Sequence, residues 1–381
     1  MGRSGKKGYV LSRDLTILQR KHSADLCVNK LDSGQTPFED AEIYSPAESP
    51  EASTRLSSSR AYTLTLSPFL IYSRSQVLPQ LLSSKVYRQL EFQAVGSWWV
   101  YRTKPSTERG AGASSLYRVP SSREDVFTDN MISVKSKRTL MKFLRHIGKP
   151  QQDDEGQSEQ DDMSVAFPGY LSSKFQVPVE LHDPLLSLSL SQTSPQHTSA
   201  EYAVGRIQRH LASIGIFGPG FGSLLARYGS GSEIAQVGCR ALAVGGGVYV
   251  LNSGIESIMN PTDSGSEKDA RMELKLSSGE SIRTKFVVGS HWDLPEQAQV
   301  TPPSCDKVVR SITVISSPLE SLFPVTAEGG PIPAGAVVVF PGSSLGQAED
   351  SPLVYLMVHS SETGECPTGQ SKFFSFSLFI S

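Results

Sequence analysis

The sequence predicts an α/β protein in which a helical segment interrupts a larger, strand-rich part. Apolar residues recur at helical spacing between residues 121 and 226, whereas short β-branched runs dominate after residue 252. Between these regions, residues 228–252 are predicted to form a glycine loop, a helix, a glycine stop and a strand. With 381 residues, the chain is long enough for two domains and a sizeable core.

The first part of the chain changes from polar to globular patterning at about Ala61. Residues 1–60 are rich in Ser, Glu and Pro, a composition that buries little, so we expect them to be mobile. Residues 62–66 alternate as a strand, and residues 75–92 carry apolar residues at helical spacing. Residues 91–102 are predicted to form a hairpin around Gly96.

The helical segment begins with a predicted capping box at residues 121–124, Ser-Ser-Arg-Glu. A helix over residues 134–147 is predicted to bury an apolar stripe and to expose basic side chains. The stripe consists of Val134, Met141, Leu144 and Ile147, flanked by Leu140 and Phe143, and the basic residues are Lys135, Lys137, Arg138, Lys142 and Arg145. The acidic run 153–162 is interpreted as a solvated loop. Helical spacing returns in residues 199–215.

The stretch at residues 228–252 is the most regular one. Residues 233–244 have apolar residues at helical spacing and no proline, and Gly245, Gly246 and Gly247 then end the helix. Residues 248–251, Val-Tyr-Val-Leu, are predicted to form a short buried strand. Glu233 and Arg240 are seven positions apart, so they share a helix face about 10 Å apart along the axis.

The remaining chain is rich in predicted strands. Residues 271–290 are predicted to form a hairpin that turns at Ser278-Gly279, and further strands are predicted within residues 307–316, 335–342 and 351–360. The last residues, 371–381, are apolar and are interpreted as an exposed end.

Charge and cysteine content exclude several classes of protein. Basic residues number 36 and acidic residues 38, which argues against a general nucleic-acid binder. The four cysteines are scattered without a Cys-x-x-Cys pair, so neither a disulfide framework nor a zinc site is predicted. The sequence has no secretory signal and no apolar run near the roughly 20 residues of a membrane-spanning helix, so we expect a soluble, intracellular chain.

One motif in the sequence is of the type found in serine hydrolases. Residues 342–346 match Gly-x-Ser-x-Gly after a predicted strand, and Asp350 and His359 follow in the order of a hydrolase triad. A nucleophile elbow also needs a helix after the serine, and the sequence QAEDSP follows instead. A serine hydrolase that uses Ser344 therefore remains a distant alternative, and no metal site is predicted.

The stretch at residues 228–252 resembles the signature of the family that comprises Rab escort proteins and Rab GDP-dissociation inhibitors. The matching residues are Glu233, Ile234, Gln236, Arg240, Gly246, Gly247, Tyr249 and Leu251. The sequence departs from the pattern by an extra serine before Glu233 and by Ala235, where the family usually has proline. Weaker similarity extends from about residue 61 to residue 370.

The resemblance implies a fold of the FAD/NAD(P)-binding type, in the form found in GDP-dissociation inhibitors. The larger mixed-sheet domain would consist of residues 61–120 and 227–381, and the smaller helical domain of residues 121–226. The family binds no flavin, and the dinucleotide fingerprint is not found here, so no cofactor is expected. The family's opening strand, glycine-rich turn and helix are not recognised, so we expect a family member whose first segment is missing or replaced and which lacks the family's C-terminal end.

The resemblance also implies the function of an escort protein, with no catalytic residue of its own. Such a protein binds GDP-bound Rab GTPases, presents them to the catalytic heterodimer of Rab geranylgeranyltransferase, and holds the geranylgeranyl lipid of the product until it reaches a membrane. By resemblance, the Rab-binding residues are Glu233, Gln236, Arg240, Tyr249 and Val250. The expected location is the cytoplasm with transient membrane association, and no nucleic acid is involved. The alternative within the family is a GDP-dissociation inhibitor.

Two residues distinguish these alternatives. Escort proteins of the family resemble this chain in having Asp-Val-Phe just after the capping box and an arginine eleven positions beyond the phenylalanine, here Phe127 and Arg138. The resemblance implies that these residues bind the transferase. A structural interpretation remains open, in which Phe127 packs into the helical core and Arg138 is a solvated base.

Overall fold

The structure is a computed structural model that describes residues 56–103, 114–148, 163–250, 253–259, 271–289, 294–295 and 308–378. The chain divides into two compact units. The sheet unit comprises Ser67–Val237 and Asp306–Ser381, and the small unit comprises Met1–Leu66 and Gly238–Cys305. The predicted mobility of residues 1–60 falls almost entirely on residues 1–55, which lie outside the described residues.

The strands form two sheets. In chain order they are β1 (Ile71–Tyr72), β2 (Phe92–Thr103), β3 (Ser114–Arg118), β4 (Ser223–Ala226), β5 (Ile255–Met259), β6 (Met272–Leu276), β7 (Ser281–Thr284), β8 (Val308–Ile315), β9 (Gly335–Phe340), β10 (Val354–Ser360) and β11 (Ser371–Leu378). The sheet unit contains an eight-stranded sheet in the order β1-β4-β2-β9-β10-β11-β8, with β3 paired to β2. Only the β2–β9 pair within it is parallel. The small unit contains the antiparallel sheet β5-β6-β7.

The helices come mainly from the middle of the chain. They are α1 (Val77–Ser83), α2 (Arg123–Thr128), α3 (Val134–Ile147), α4 (Phe167–Tyr170), α5 (His182–Ser187), α6 (Ala200–Leu211) and α7 (Gly231–Val244). A π-helical turn, Leu171–Phe175, continues α4. Within the described part of the chain, no helix combines the length and the apolar character that a membrane span requires.

The helical segment and the sheet share one apolar core. Leu140, Phe143 and Ile147 of α3 and Ile207 of α6 belong to the same cluster of buried side chains as Val337 and Val339 of β9. Both valines are fully buried, as expected for a central strand covered on both faces. The boundaries of a separate helical domain at residues 121–226 therefore stay a prediction.

Two details of the helical segment differ from the sequence prediction. The capping box uses Ser122 and Asp125, one residue later than predicted, and the Asp125 side chain reaches back to the N-cap amide. Val134 was assigned to the buried stripe of α3, but its side chain is 67% exposed. The buried face of the helix is formed by Ser136, Leu140, Phe143 and Ile147, because these positions repeat at three and four residues on one side.

Gly96 lies inside a continuous strand and does not form a hairpin turn. β2 runs through Gly96 from Phe92 to Thr103, and its pairing with β9 shifts register between Val95 and Trp98. A Cβ atom at this glycine would collide with the ring of Pro333. The glycine therefore permits a bulge and a close approach of another segment, a contact that the local sequence does not reveal.

The expectation of an exposed apolar end at residues 371–381 is wrong for the part that the structure describes. β11 pairs with β10 on one side and with β8 on the other. The Phe374 side chain is 1% exposed and its ring lies 4.7 Å from that of His359, centroid to centroid. The apolar character of this segment is therefore explained by burial within the large sheet.

Other strand predictions have mixed outcomes. The hairpin of β6 and β7 is confirmed, with Gly279 at a φ of +87° in its turn, and β8, β9 and β10 are confirmed. Residues 62–66 form no strand. The predicted buried strand at residues 248–251 is also wrong where it is described, since Val248 is 71% exposed and residues 248–250 pair with no strand.

One histidine on α6 links stability to pH. His210 packs against Trp98 of β2, with ring centroids 4.8 Å apart, and its Nδ1 lies 3.4 Å from the Tyr72 hydroxyl. Burial lowers the pKa of His210 from 6.5 to about 4, because the charged imidazolium loses its hydration.

We therefore expect acid to destabilise the sheet unit through this residue. Above pH 6.5 the imidazole is neutral in both the folded and the unfolded chain, and between pH 6.5 and 4 only the unfolded chain gains the proton. The loss amounts to at most about 3 kcal/mol by pH 4. His210→Phe should flatten this part of the pH profile in urea unfolding. An identical profile for the variant would contradict an imidazole that stays neutral in the folded chain down to about pH 4.

Candidate functional site

The helix α7 is anchored to the sheet unit at its first half. Gly229 and Ser230 have positive φ values of 132° and 55°, which turn the chain into the helix. Val237 is fully buried and packs with Leu81 and Leu90 in a small apolar cluster. The predicted helix over residues 233–244 is confirmed, and it begins two residues earlier, at Gly231.

Three of the predicted Rab-binding residues lie on α7. Helical periodicity places Glu233, Gln236 and Arg240 on one face of the helix. Val237, four positions after Glu233 and three before Arg240, lies at the buried edge of this face. Gln236 and Arg240 are exposed and Glu233 is half-buried. Glu233 and Gln236 belong to the sheet unit, whereas Arg240 belongs to the small unit.

The two remaining residues follow a tight turn. Gly246 has a φ of +86°, and the Gly247 amide donates to the Leu242 carbonyl at 2.8 Å, so the chain reverses direction after α7. Tyr249 then lies beside Cys239: loss of hydration, followed by the hydrogen bond with this thiol, raises the pKa of the phenol. Tyr249 and Val250 are each 38% exposed. Within the small unit, the turn therefore brings Tyr249 back to the helical turn that carries Arg240.

Phe127 lies at the end of the short helix α2 and points away from the core. Its side chain is 64% exposed, so packing into the helical core is not its role. The capping box fixes the start of this helix, and Ser121 adds two bonds to it: the Asp125 carboxylate accepts from the Ser121 amide at 3.0 Å and from the Ser121 hydroxyl at 2.9 Å. Burial by itself would raise the pKa of Asp125, but these hydrogen bonds and the charge of Arg118 lower it.

Contacts between α2 and α3 fix the position of Phe127 relative to the start of α3. The Lys137 ammonium donates to the Phe127 carbonyl at 2.7 Å. Arg138, the next residue on α3, is exposed. Asp129, the residue that follows α2, is held in turn by β3, because its carboxylate accepts from the Tyr117 hydroxyl at 2.8 Å. An exposed aromatic side chain thus lies on a short, well-braced helix.

Two apolar residues of this surface were missed by the sequence analysis. Met131 is 69% exposed and Val134 is 67% exposed, and both lie between Phe127 and Arg138 in the chain. The sequence signal for Val134 pointed to the core, because it fits the same helical period as Met141, seven positions later. We call Phe127, Met131, Val134 and Arg138 the α2–α3 surface.

The residues of the hydrolase motif are not arranged as a triad. Ser344 lies in a 3-10 turn, and its hydroxyl donates to the Pro341 carbonyl at 2.6 Å. The Asp350 carboxylate accepts from the Gln196 amide at 2.9 Å, and the His359 Nδ1 pairs with Glu365 at 2.7 Å. His359 is 1% exposed. The three residues are committed to different partners, so the structure does not support a serine hydrolase.

The described residues also contain no cluster of three or more His, Cys, Asp or Glu side chains that could hold a metal ion. The functional residues predicted from the sequence lie instead at the protein surface, on α7 and its turn and on the α2–α3 surface, where all but the half-buried Glu233 are exposed. The fold and these surfaces define an α/β protein with a mixed sheet, a packed helical segment and two candidate surfaces for protein partners.

Comparison with known proteins gives the family. The profile of the GDP dissociation inhibitor family matches residues 35–370. The chain belongs to this family, and the α/β fold predicted from the sequence is confirmed.

Individual relatives agree with this assignment. The chain is 25% identical over 342 residues to the Rab proteins geranylgeranyltransferase component A of Candida albicans, covering 89% of this chain and 49% of the relative. It is 26% identical over 315 residues to the component A of Saccharomyces cerevisiae, covering 82% and 47%. The chain thus spans about half the length of these curated relatives. Among solved structures, the Rab GDI of Plasmodium falciparum aligns with a TM-score of 0.60 at 16% identity, covering 85% of this chain and 69% of that one.

Proposed function

We propose that this chain acts as a Rab escort protein: it binds GDP-bound Rab GTPases, presents them to Rab geranylgeranyltransferase and holds the lipidated product. Family membership and the component A relatives support this proposal. The observation that carries it is the exposure of Phe127, at 64%, because an escort protein needs an exposed aromatic anchor where an inhibitor has none.

The α7 face fits a partner that is recognised by charge and hydrogen bonding. Glu233, Gln236 and Arg240 offer a carboxylate, an amide and a guanidinium at successive turns of α7, next to the buried Val237 that anchors the helix. A rigid helix presents such groups at fixed spacing, which favours specific recognition. Tyr249, held beside Cys239, adds an amphipathic side chain of the kind enriched at interfaces.

The α2–α3 surface fits a second protein partner. It combines three exposed apolar side chains with the guanidinium of Arg138. Exposed apolar groups on a braced element are typical of a binding anchor, since they lose hydration on docking without first having to leave a core. We assign this surface to the transferase heterodimer.

In the proposed function the chain has no catalytic residue, because the transferase performs the chemistry. The role of the escort is to keep a geranylgeranylated Rab in solution until it contacts a membrane. Each exposed CH₂ of an isoprenoid costs roughly 0.8 kcal/mol in water, so the lipid needs an apolar site on the escort. The proposed location is the cytoplasm with transient membrane association.

A Rab GDP-dissociation inhibitor is the second candidate, since the family contains both functions. The two are separated by one property, namely whether the chain binds the transferase. A pull-down that offers the full chain both a GDP-bound Rab and the transferase heterodimer tests the proposal: capture of both supports an escort protein, and capture of the Rab alone indicates an inhibitor.

The Rab surface can be tested by substitution. Glu233→Ala and Arg240→Ala are each expected to weaken binding of a GDP-bound Rab by on the order of 1–3 kcal/mol, because each removes a charge that pairs across the interface. Isothermal titration measures the change. Lys135→Ala, at an exposed base on α3, serves as the control and should bind Rab as the wild type does.

The same variants should keep their thermal unfolding temperature, since neither side chain is part of the buried cluster around Val237. Unchanged Rab affinity in both variants would remove the α7 face from the Rab site while leaving the transferase assignment open to its own test.

A further inference from the structure

A second feature of the helical segment is a basic cavity that neither protein surface explains. It lies between α3 and the π-helical turn Leu171–Phe175 and has a volume of about 230 Å³. Its lining consists of Lys142, Arg145, His146, Lys174 and Phe175. Three of these five side chains are lysine or arginine, and none of the described residues that line the cavity is a carboxylate.

The Phe175 ring lies close to three of these basic side chains. Its side chain is 3% exposed. The Lys142 ammonium lies 6.0 Å from the centre of its ring and the Lys174 ammonium 5.8 Å, while the His146 ring lies 5.1 Å away, centroid to centroid. Cation–π attraction holds ammonium groups over an aromatic ring at such distances. The two lysines come from different segments, so the fold brings like charges together here.

The helix dipole explains the positions of only some of these basic side chains. Arg145 and His146 lie in the last turn of α3, where basic side chains offset the negative end of the helix dipole. This reasoning does not extend to Lys174, which belongs to the π-helical turn. Such turns are rare and occur frequently at functional sites. Gln176, with a φ of +56°, ends the turn in the left-handed conformation and so fixes where Lys174 and Phe175 lie.

We propose that this cavity binds a phosphate group that carries two or more negative charges, either as free diphosphate or as the phosphomonoester headgroup of a lipid. Lys142, Arg145 and Lys174 would neutralise the oxygens through charge-assisted hydrogen bonds. The volume equals about eight waters at 30 Å³ each, enough for a diphosphate or a single headgroup. The inference goes beyond the proposed escort function and does not depend on it.

The test uses the full chain and two probes at about 0.15 M salt, where weak surface attraction is screened. Inorganic diphosphate is titrated by calorimetry, and sedimentation measures binding to phosphatidylcholine vesicles with and without phosphatidic acid. Lys142→Glu/Lys174→Glu should weaken binding on the order of a hundredfold, because two charge-assisted contacts are lost. Lys142→Gln/Lys174→Gln should show a smaller loss.

A control matched in charge is Lys135→Glu/Arg206→Glu, which alters an exposed base on α3 and one on α6, both outside the lining. It should bind as the wild type does, and all variants should keep the wild-type unfolding temperature.

The outcomes separate the two sources of phosphate and the competing explanations. Diphosphate binding that the cavity variants lose supports a free phosphate ligand, and vesicle binding that depends on phosphatidic acid with no diphosphate binding supports a lipid headgroup. No binding to either probe overturns the proposal. So does an equal loss in the control, which indicates a general electrostatic effect, and so does displacement of either probe by poly-glutamate at equal charge, which indicates an acidic protein partner.

Discussion

Phe127→Ala should abolish detectable binding of the transferase heterodimer while leaving Rab binding intact. Truncating an aromatic anchor at the centre of an interface typically costs 2 kcal/mol or more, which is roughly a thirtyfold loss of affinity. Because Phe127 is 64% exposed, its removal takes little from the folded state, and stability should change by about 0.5 kcal/mol or less. Titration of the full chain with the transferase, and separately with a GDP-bound Rab, measures both effects.

The other members of the α2–α3 surface set the expected order of effects. Arg138→Ala and Met131→Ala should each weaken transferase binding by less than Phe127→Ala, since in the proposed interface the phenylalanine is the anchor and the other two residues only surround it. Phe286→Ala is the matched control: this phenylalanine is 83% exposed and lies in the small unit. Equal losses at Phe127 and Phe286 would show that any exposed aromatic has this effect, and intact transferase affinity in Phe127→Ala would favour the inhibitor function.

The sequence predicted those elements whose signals are local. The helix α7 has both an apolar period and a glycine stop, and the hairpin of β6 and β7 has an alternating pattern around Gly279, so neighbouring residues suffice to define them. The strand β9 is a continuous apolar run, which predicts burial on both faces. The family signature then predicted Rab-binding roles for residues on α7, whereas composition and spacing alone predict only a solvated helix face.

The errors occurred where the outcome depends on distant parts of the chain. Whether a β-branched run is buried depends on the presence of a partner strand: Val248 and Tyr249 have none and are exposed, because the turn at Gly246 and Gly247 sends the chain back along the helix. Gly96 was assigned to a turn, but the Pro333 ring, more than two hundred positions away, determines its role. Contacts with such distant segments cannot be inferred from the residues that neighbour Gly96 or Val248 in the sequence.

The α2–α3 surface could be predicted only in part. Its aromatic residue and its arginine followed from the resemblance, whereas Val134 was assigned to the core because helical period alone does not say where the buried stripe ends. Val134 lies about two and a half turns from buried Phe143 and therefore on the opposite side of α3, whereas Ser136 in the same first turn is buried. The basic cavity at Phe175 was not predicted, because its lysines come from α3 and from a π-helical turn that the sequence does not indicate.

Phe374→Ala should produce the largest loss of stability among the changes considered. The side chain is 1% exposed in β11 and packs on His359, and deleting a buried phenylalanine typically costs about 3–5 kcal/mol. For a unit of this size, the loss lowers the unfolding temperature by roughly 6 to 20 °C. Differential scanning calorimetry or urea unfolding of the full chain measures the change.

Phe376→Ala provides the control within the same strand. Phe376 is half-buried, and its ring centre lies 5.6 Å from the Arg310 guanidinium, so its truncation should cost about 1 kcal/mol. A large difference between the two variants is expected because Phe374 is fully buried and Phe376 only half-buried, although both lie on β11 between β10 and β8. Equal and small effects of both variants would show that β11 is not packed in the sheet, and the interpretation of residues 371–378 as an exposed apolar end would then be restored.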